Sequence, residues 1–370
     1  MTTVFFYNSI LLGSTLFVWL SERVRTQRDR IILLTTAFLL VFIPAAIRYD
    51  IGTDFLNYLS IYESAESLER FKLKEPGFYL VNIFLKSLNA HPQWMFATFA
   101  FIFTALAFKA YPRSNSWIIH CLLFSILWFF SFNGMRQAIA VACCFVGVFC
   151  FFKKRYLVFL LWSIIGFSFH QSVFFILILG VIAKIPLRKN IKYQLSPVML
   201  IGMVLLTFVS MELVLNYIEQ ILNMFRMDKY AKYFGNEAHF RERDYGTGLG
   251  VLVKVLFSIY ILWNTKIFLR LNKDLWLLIL LVFFYAMGVV LANRIIIFGR
   301  MADIFVLGPV IACYVLTIIP INKKINYIVV MGFMIFLIVS FTKDGFGIET
   351  SYADPKRNPY QIFINNGYEK

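Results

Sequence analysis

Residues 134–184 read GMRQAIAVACCFVGVFCFFKKRYLVFLLWSIIGFSFHQSVFFILILGVIAK. Up to Phe152 this is an apolar run of the length a bilayer crossing needs, about 20 residues as a helix. Lys153-Lys154-Arg155 closes it. The next apolar stretch, 156–183, is interrupted at its middle by Phe169-His170-Gln171-Ser172 and reads as two short helices. Residues 156–169 rise only about 21 Å as a helix, against a hydrocarbon thickness of about 30 Å, which leaves His170 below the membrane surface. Non-helical backbone at that depth is tolerated only inside protein or beside a water-filled cavity. A polar cavity opening at this end of the helices is implied.

The same apolar pattern extends in both directions. Further spans are expected at 4–20, 31–47, 93–108, 117–132, 194–210, 247–265, 275–292, 301–319 and 325–341. Of the 370 residues, 60% are apolar and 15% charged, and mean hydropathy is +0.73. Soluble domains have about 45–50% apolar and about 25% charged residues, so a soluble enzyme, a nucleic-acid module and a disordered chain are excluded. The expected class is an all-α polytopic membrane protein, one integral domain over 1–370 with about twelve transmembrane helices. The five cysteines lie within apolar runs without CxxC or Cys/His spacing. They read as small buried residues, and neither a disulfide framework nor a metal site is expected.

Stretch 77–90 is apolar but about 14 residues long, which suits a re-entrant or interfacial segment. Basic residues follow the first apolar run, so a cleaved signal peptide is not expected, and Arg23, Arg25, Arg28 and Arg30 fall on the cytoplasmic side. Alternation then makes 21–30, 109–116, 153–155, 184–193, 266–274 and 320–324 cytoplasmic. These segments hold 18 of the 36 Lys and Arg but only three of the 20 acids. Nearly all of the +16 net charge is thereby accounted for by the positive-inside rule, without a nucleic-acid partner. A spanning 77–90 would turn Lys153-Lys154-Arg155 outward. The exterior segments are then 48–76, 211–246 and the tail 342–370, with both termini outside.

With the sides assigned, unusual charges fall together on the outer face. The first exterior loop begins Arg48-Tyr49-Asp50-Ile51-Gly52-Thr53-Asp54, followed by Asn57 and Tyr58. Another outer end carries Asn133-Gly134-Met135-Arg136-Gln137, the broken helix His170-Gln171-Ser172, and a late hairpin Asn293, Arg294, Arg300 and Asp303. Ionisable groups just inside a span are costly and mark functional paths; the alternative for these arginines is snorkelling to headgroup phosphates. His170 could equally be a hydrogen-bonded interior histidine. Asp50 and Asp54 could pair with Arg48 or cap the helix bearing Tyr58. Two carboxylates alone do not make a metal site. Gly246-Thr247-Gly248-Leu249-Gly250 follows no strand and is not read as a nucleotide loop.

Arginines converging on an exterior cavity suit an anionic headgroup, since the guanidinium fork binds phosphate oxygens bidentately. Tyr49, Asn57, Tyr58, Trp94 and Gln137 could add contacts to sugars. A lipid-linked pyrophosphate glycan satisfies both halves. Arg48-Tyr49-Asp50-x-Gly52-Thr53-Asp54-x-x-x-Tyr58 and Glu75-Pro76-Gly77-Phe78 resemble the N-terminal pattern of EpsG-type proteins, which belong with Wzy-type O-antigen and exopolysaccharide polymerases. Gly134-Met135-Arg136-Gln137-Ala138-Ile139-Ala140 and Phe169-His170-Gln171-Ser172 are similar to that family's next two signatures. The Arg294–Arg300 hairpin is similar to a late arginine segment there.

The resemblance implies a GT-C-like glycosyltransferase of the bacterial inner membrane, with short broken helices around a cavity facing the periplasm. Its substrate would be undecaprenyl-pyrophosphate-linked oligosaccharide, with a chain-length regulator and a flippase as further partners and no cofactor. Each cycle would release undecaprenyl pyrophosphate. In this reading Arg136, with Arg48, Arg294 or Arg300, stabilises the leaving pyrophosphate, and His170, Asp50 or Asp54 takes the acceptor proton. His170 is preferred, because an ordinary histidine pKa of about 6.5 suits proton acceptance, whereas neighbouring Arg48 favours the ionised, weakly basic form of an aspartate. Arg48, Tyr58, Gln137, Arg294 and Arg300 are expected to bind substrate. The rival functions are a lipid-linked oligosaccharide flippase, which would put ionisable groups near mid-membrane, and an O-antigen ligase, which shares the donor.

Overall fold

The structure, a computed structural model, describes residues 1–65, 75–185, 197–209, 248–292, 296–347 and 356–363, together with Tyr217, Gln220 and Met224. Among these residues the chain is all helical apart from an isolated antiparallel bridge between Arg48 and Ile362. The helices are α1 (Thr2–Ser21), α2 (Gln27–Ile47), α3 (Phe55–Glu63), α4 (Pro76–Ser87), α5 (Pro92–Lys109), α6 (Ser116–Asn133), α7 (Met135–Phe152), α8 (Tyr156–Phe169) and α9 (Phe174–Lys184). They continue as α10 (Pro197–Val209), α11 (Leu249–Trp263), α12 (Thr265–Leu271), α13 (Trp276–Leu291), α14 (Ile296–Phe305), α15 (Leu307–Ile318) and α16 (Lys323–Gly345). Two compact units result: Met1–Phe174 with Leu316–Lys370, and Phe175–Val315.

Each stretch read as a span is mostly helical over its described part, 301–319 being divided at Val306, but fewer than twelve are long enough to cross. Among the described residues seven helical stretches are sufficiently long and apolar, counting 273–291 (α13 with the turn before it) and 298–318 (α14 with α15) as one each, or eight if the pair α11–α12, bent by 55°, forms one crossing. The difference from twelve is chiefly length. Helices α8, α9 and α10, of 14, 11 and 13 residues, rise about 16–21 Å, well short of the hydrocarbon layer. Helix α5 has 18 residues but carries Pro92, Gln93 and Lys109 at its ends. The apolar stretch expected at 77–90 is the 12-residue α4. Helix α16 leaves Ile325, Ile328, Ile335 and Val339 exposed, as a lipid-facing stripe does. The protein is a multi-pass membrane protein.

In the first unit, polar groups gather at the two ends of α6. At its N-terminus the Glu22 carboxylate accepts from the backbone N–H groups of Asn115 (3.0 Å), Ser116 (2.6 Å) and Trp117 (3.2 Å) and from the Ser116 hydroxyl (2.5 Å). The N–H groups that a helix start leaves without intrahelical partners are thereby satisfied. Asn115 Nδ2 also donates to Thr317 Oγ1 at 3.2 Å. About 27 Å away along the helix, Gly134 breaks the chain between α6 and α7.

The C-terminal end of α2 lies at that second end. Pro44 falls in its last turn, and the carbonyls left over are taken by side chains. Tyr360 donates to Pro44 O (2.8 Å), Arg48 Nη1 to Ala45 O (2.6 Å), and Gln93 Nε2 to Ala46 O. In the second unit, α13 is nearly all buried, and Lys184 pairs with Asp274 at 2.6 Å.

Candidate functional site

Four loops and a piece of the tail meet at the second end of the first unit. After α2 the chain turns extended at Arg48, which bridges Ile362, while Tyr49 N–H donates to Gln361 O (3.0 Å) and Gly52 N–H to Lys356 O (3.2 Å). The turn itself needs Asp50 at φ 48 and Gly52 at φ 98. Gly52 also has to be small: a Cβ there would come within 3.1 Å of Phe132 O and closer still to Asn133 Oδ1. The first exterior loop is thus seated on the break between α6 and α7.

Arg48 is 1% exposed, with its guanidinium over the rings of Phe132 (4.6 Å) and Phe96 (5.0 Å). It clamps helix ends and presents no surface to a ligand. Asp50 Oδ2 lies 3.3 Å from Lys356 Nζ. Asp54 occupies the N-cap position of α3, but its carboxylate makes no capping bond.

The neighbouring cluster is built on Glu75, Arg136 and His170. Pro76 opens α4 with its fixed φ, and Gly77 allows close docking on the end of α8, since a Cβ there would lie 2.5 Å from Ser168 Oγ and 3.2 Å from Ser168 O. That contact brings Glu75, the residue just before α4, beside the α8 break. Its carboxylate is not used to cap its own helix. Instead Oε2 pairs with Arg136 Nη1, and Oε1 faces His170 Nε2 at 3.9 Å. Side-chain exposures of 14% for Glu75, 29% for Arg136 and 27% for His170 leave all three partly accessible.

Arg136 is the second residue of α7, an end where helix geometry favours anions. Its guanidinium also lies over the rings of Phe78 (5.4 Å) and Tyr58 (5.9 Å). Tyr58 is buried, and burial pushes its phenol pKa up while adjacent Arg136 opposes the shift. His170 Nδ1 accepts from the Ser172 backbone N–H (3.2 Å) and bonds the Ser172 hydroxyl (2.6 Å). In the neutral ring the proton is therefore assigned to Nε2, the nitrogen that faces Glu75.

The structure thus brings Arg136 and His170 together, sets Tyr58 behind Arg136, and places Asp50 and Asp54 on the adjoining loop. Gln137 is buried beside Arg136, whereas Asn57 and Trp94 are exposed. Arg300 is exposed on α14 of the second unit, while Arg294 and most of 211–246 lie outside the described residues. Among the described residues no group of three His, Cys, Asp or Glu comes together.

Two features escaped the sequence reading. Glu75 sits inside a quoted motif, and its position before Pro-Gly and an apolar helix was the available signal. The tail segment 356–363 carried no signal, being polar and far from 48–54 in the chain. Burial raises the Tyr360 phenol pKa and lowers that of Arg357 within this segment. No curated protein and no solved structure matches the chain. The EpsG family model matches residues 31–353, most of the chain, and the protein belongs to the EpsG family.

Proposed function

We propose that this protein polymerises undecaprenyl-pyrophosphate-linked oligosaccharide repeat units at the outer face of a bacterial inner membrane. The growing glycan passes from its lipid carrier to the non-reducing end of a new lipid-linked unit, releasing undecaprenyl pyrophosphate. The observation that carries this reading is Arg136, a partly exposed cation at the start of an apolar helix, gathered with Glu75 and His170 at three helix ends. Membership of a polymerase-type family supports it.

Arg136 is the group that stabilises the departing pyrophosphate, in a site where preorganised charge is worth more than in water. The end carrying residues 48–54, 133–137 and 168–172 faces the periplasm in this reading, and the short helices α4 and α8 border a cavity of the GT-C kind. The short helices complete about twelve membrane segments in the proposed topology. Arg294 and Arg300 are assigned to substrate binding, a role that their alanine variants test separately. Asp50, held by Lys356, keeps the first exterior loop in place.

The test is a gel of surface polysaccharide from a strain lacking the gene, complemented with wild type or Arg136→Ala. Collapse of the ladder to core plus a single repeat unit, restored by wild type and not by Arg136→Ala, is the expected result. Loss of all surface repeats would favour export or ligation, with lipid-linked polymer stranded in the membrane pointing to a ligase. An unchanged ladder in the deletion strain would end the polymerase reading.

A further inference from the structure

Polymerisation requires a group that takes the proton of the acceptor hydroxyl, and the geometry singles one out. His170 Nδ1 accepts from Ser172, which leaves the proton of the neutral ring on Nε2, 3.9 Å from Glu75 Oε1. Asp50, beside Lys356, and Asp54, at the N-cap of α3, both belong to the adjoining loop, away from the Arg136–His170 pair of helix ends. Glu75 is the carboxylate that stands between the proposed pyrophosphate ligand, Arg136, and His170, and it remains partly accessible.

Resting on the polymerase reading, we propose that Glu75 is the proton acceptor and that donor binding switches it on. Its carboxylate pairs with Arg136 Nη1, where a pyrophosphate oxygen has to bind. The incoming pyrophosphate, with more negative charge, takes over Arg136 and frees Glu75. A carboxylate deprived of its counter-charge binds a proton more readily. His170 then acts as a positioning residue whose Nε2–H keeps the freed carboxylate directed at the cavity.

The step balances. The acceptor O–H gives its proton to Glu75, and the oxygen forms the bond to the anomeric carbon. The bond from that carbon to the pyrophosphate oxygen breaks, its electron pair leaving with undecaprenyl pyrophosphate beside Arg136. Glu75 passes its proton to the departing pyrophosphate, and the Glu75–Arg136 pair re-forms.

The test uses full-length protein. Polymer formation is measured in membranes of the producing strain, which supply the lipid-linked units, and binding by the thermal shift of detergent-purified protein with farnesyl pyrophosphate as probe. Glu75→Gln should lower polymer formation by about 10²–10⁴-fold, the usual worth of a general base, and bind the probe more tightly than wild type. Formate added to Glu75→Ala membranes should restore part of the activity, which no packing role would allow. Wild-type polymer formation by Glu75→Gln would overturn the proposal, as would probe binding no tighter than wild type or absence of rescue by formate. If the neutral variants fail to accumulate, Glu75→Asp keeps the ion pair and should polymerise measurably more slowly; an unchanged rate would also overturn it. Arg136→Ala separates the two ideas. An active Glu75→Gln beside an inactive Arg136→Ala removes Glu75 alone, whereas full activity in both removes the polymerase assignment of this site.

Discussion

Lys356 Nζ and Asp50 Oδ2 lie 3.3 Å apart across 306 residues of sequence, joining the tail to the first loop at the second end of α6. This pair is partly exposed, with side-chain exposures of 27% and 35%. Its own contribution is at most about 1 kcal/mol. The segment around it does more. Tyr7 donates to Arg357 O (2.6 Å), Arg357 stacks on Phe129 (4.6 Å), and Tyr360 packs against Phe6 and Tyr7 while bonding Pro44 O. Removing residues 348–370 should lower the melting temperature in detergent far more than Lys356→Ala does. Tyr360→Phe should fall between, at about 1 kcal/mol for one hydrogen bond. Equal melting of truncated and full-length protein would show that the tail segment is dispensable.

Gly52 offers a sharper test of the same region. Its φ of 98 is strained for any side chain, and an added methyl collides with Phe132 O and Asn133. Strain alone costs about 1–2 kcal/mol, and the collision forces the 48–54 loop off the α6–α7 break. Gly52→Ala is therefore expected to lose polymer and to melt lower, while Thr53→Ala, at an exposed neighbour, should do neither. A fully active Gly52→Ala would mean that the seat of this loop is irrelevant to the site.

The helices were legible because apolar runs of bilayer length leave few alternatives, and the break at His170 was legible because polar residues are rare inside such a run. The number of crossings was not, since hydropathy alone does not show how a stretch as short as 156–169 is accommodated. Of the site, Arg136 and His170 stood out as polar groups inside apolar sequence. Arg48 looked equally exposed by that criterion, yet Phe96 and Phe132 bury it, a packing that no local pattern predicts. Glu75 was hidden by ordinariness, an acid in a polar loop whose partners lie 61 and 95 positions away.

Glu22 separates stability from function. It caps the α6 start with four hydrogen bonds at the end opposite the site. A bond to a charged group contributes about 1.5–3 kcal/mol, and removing the carboxylate leaves several donors unsatisfied. Glu22→Ala should lower stability by about 2–4 kcal/mol. Activity per folded molecule should be unchanged. Fluorescence-detected size exclusion after heating, compared with polymer formation normalised to folded protein, reads both. A variant that melts like wild type would remove Glu22 as a cap.

His170→Gln distinguishes the two roles open to the imidazole. Glutamine can accept from the Ser172 N–H through its carbonyl and donate towards Glu75 through its amide, so a positioning function survives in part. It cannot take a proton at neutral pH, so a histidine acting as base would leave no turnover after this change. With Glu75 as base, His170→Gln should retain measurable polymer formation, whereas His170→Ala, which can neither accept from Ser172 nor donate to Glu75, should fall well below it. The measurement is the initial rate of polymer appearance in membranes with matched protein levels. A dead His170→Gln beside an active Glu75→Gln would exchange the roles of the two residues and restore histidine as the proton acceptor.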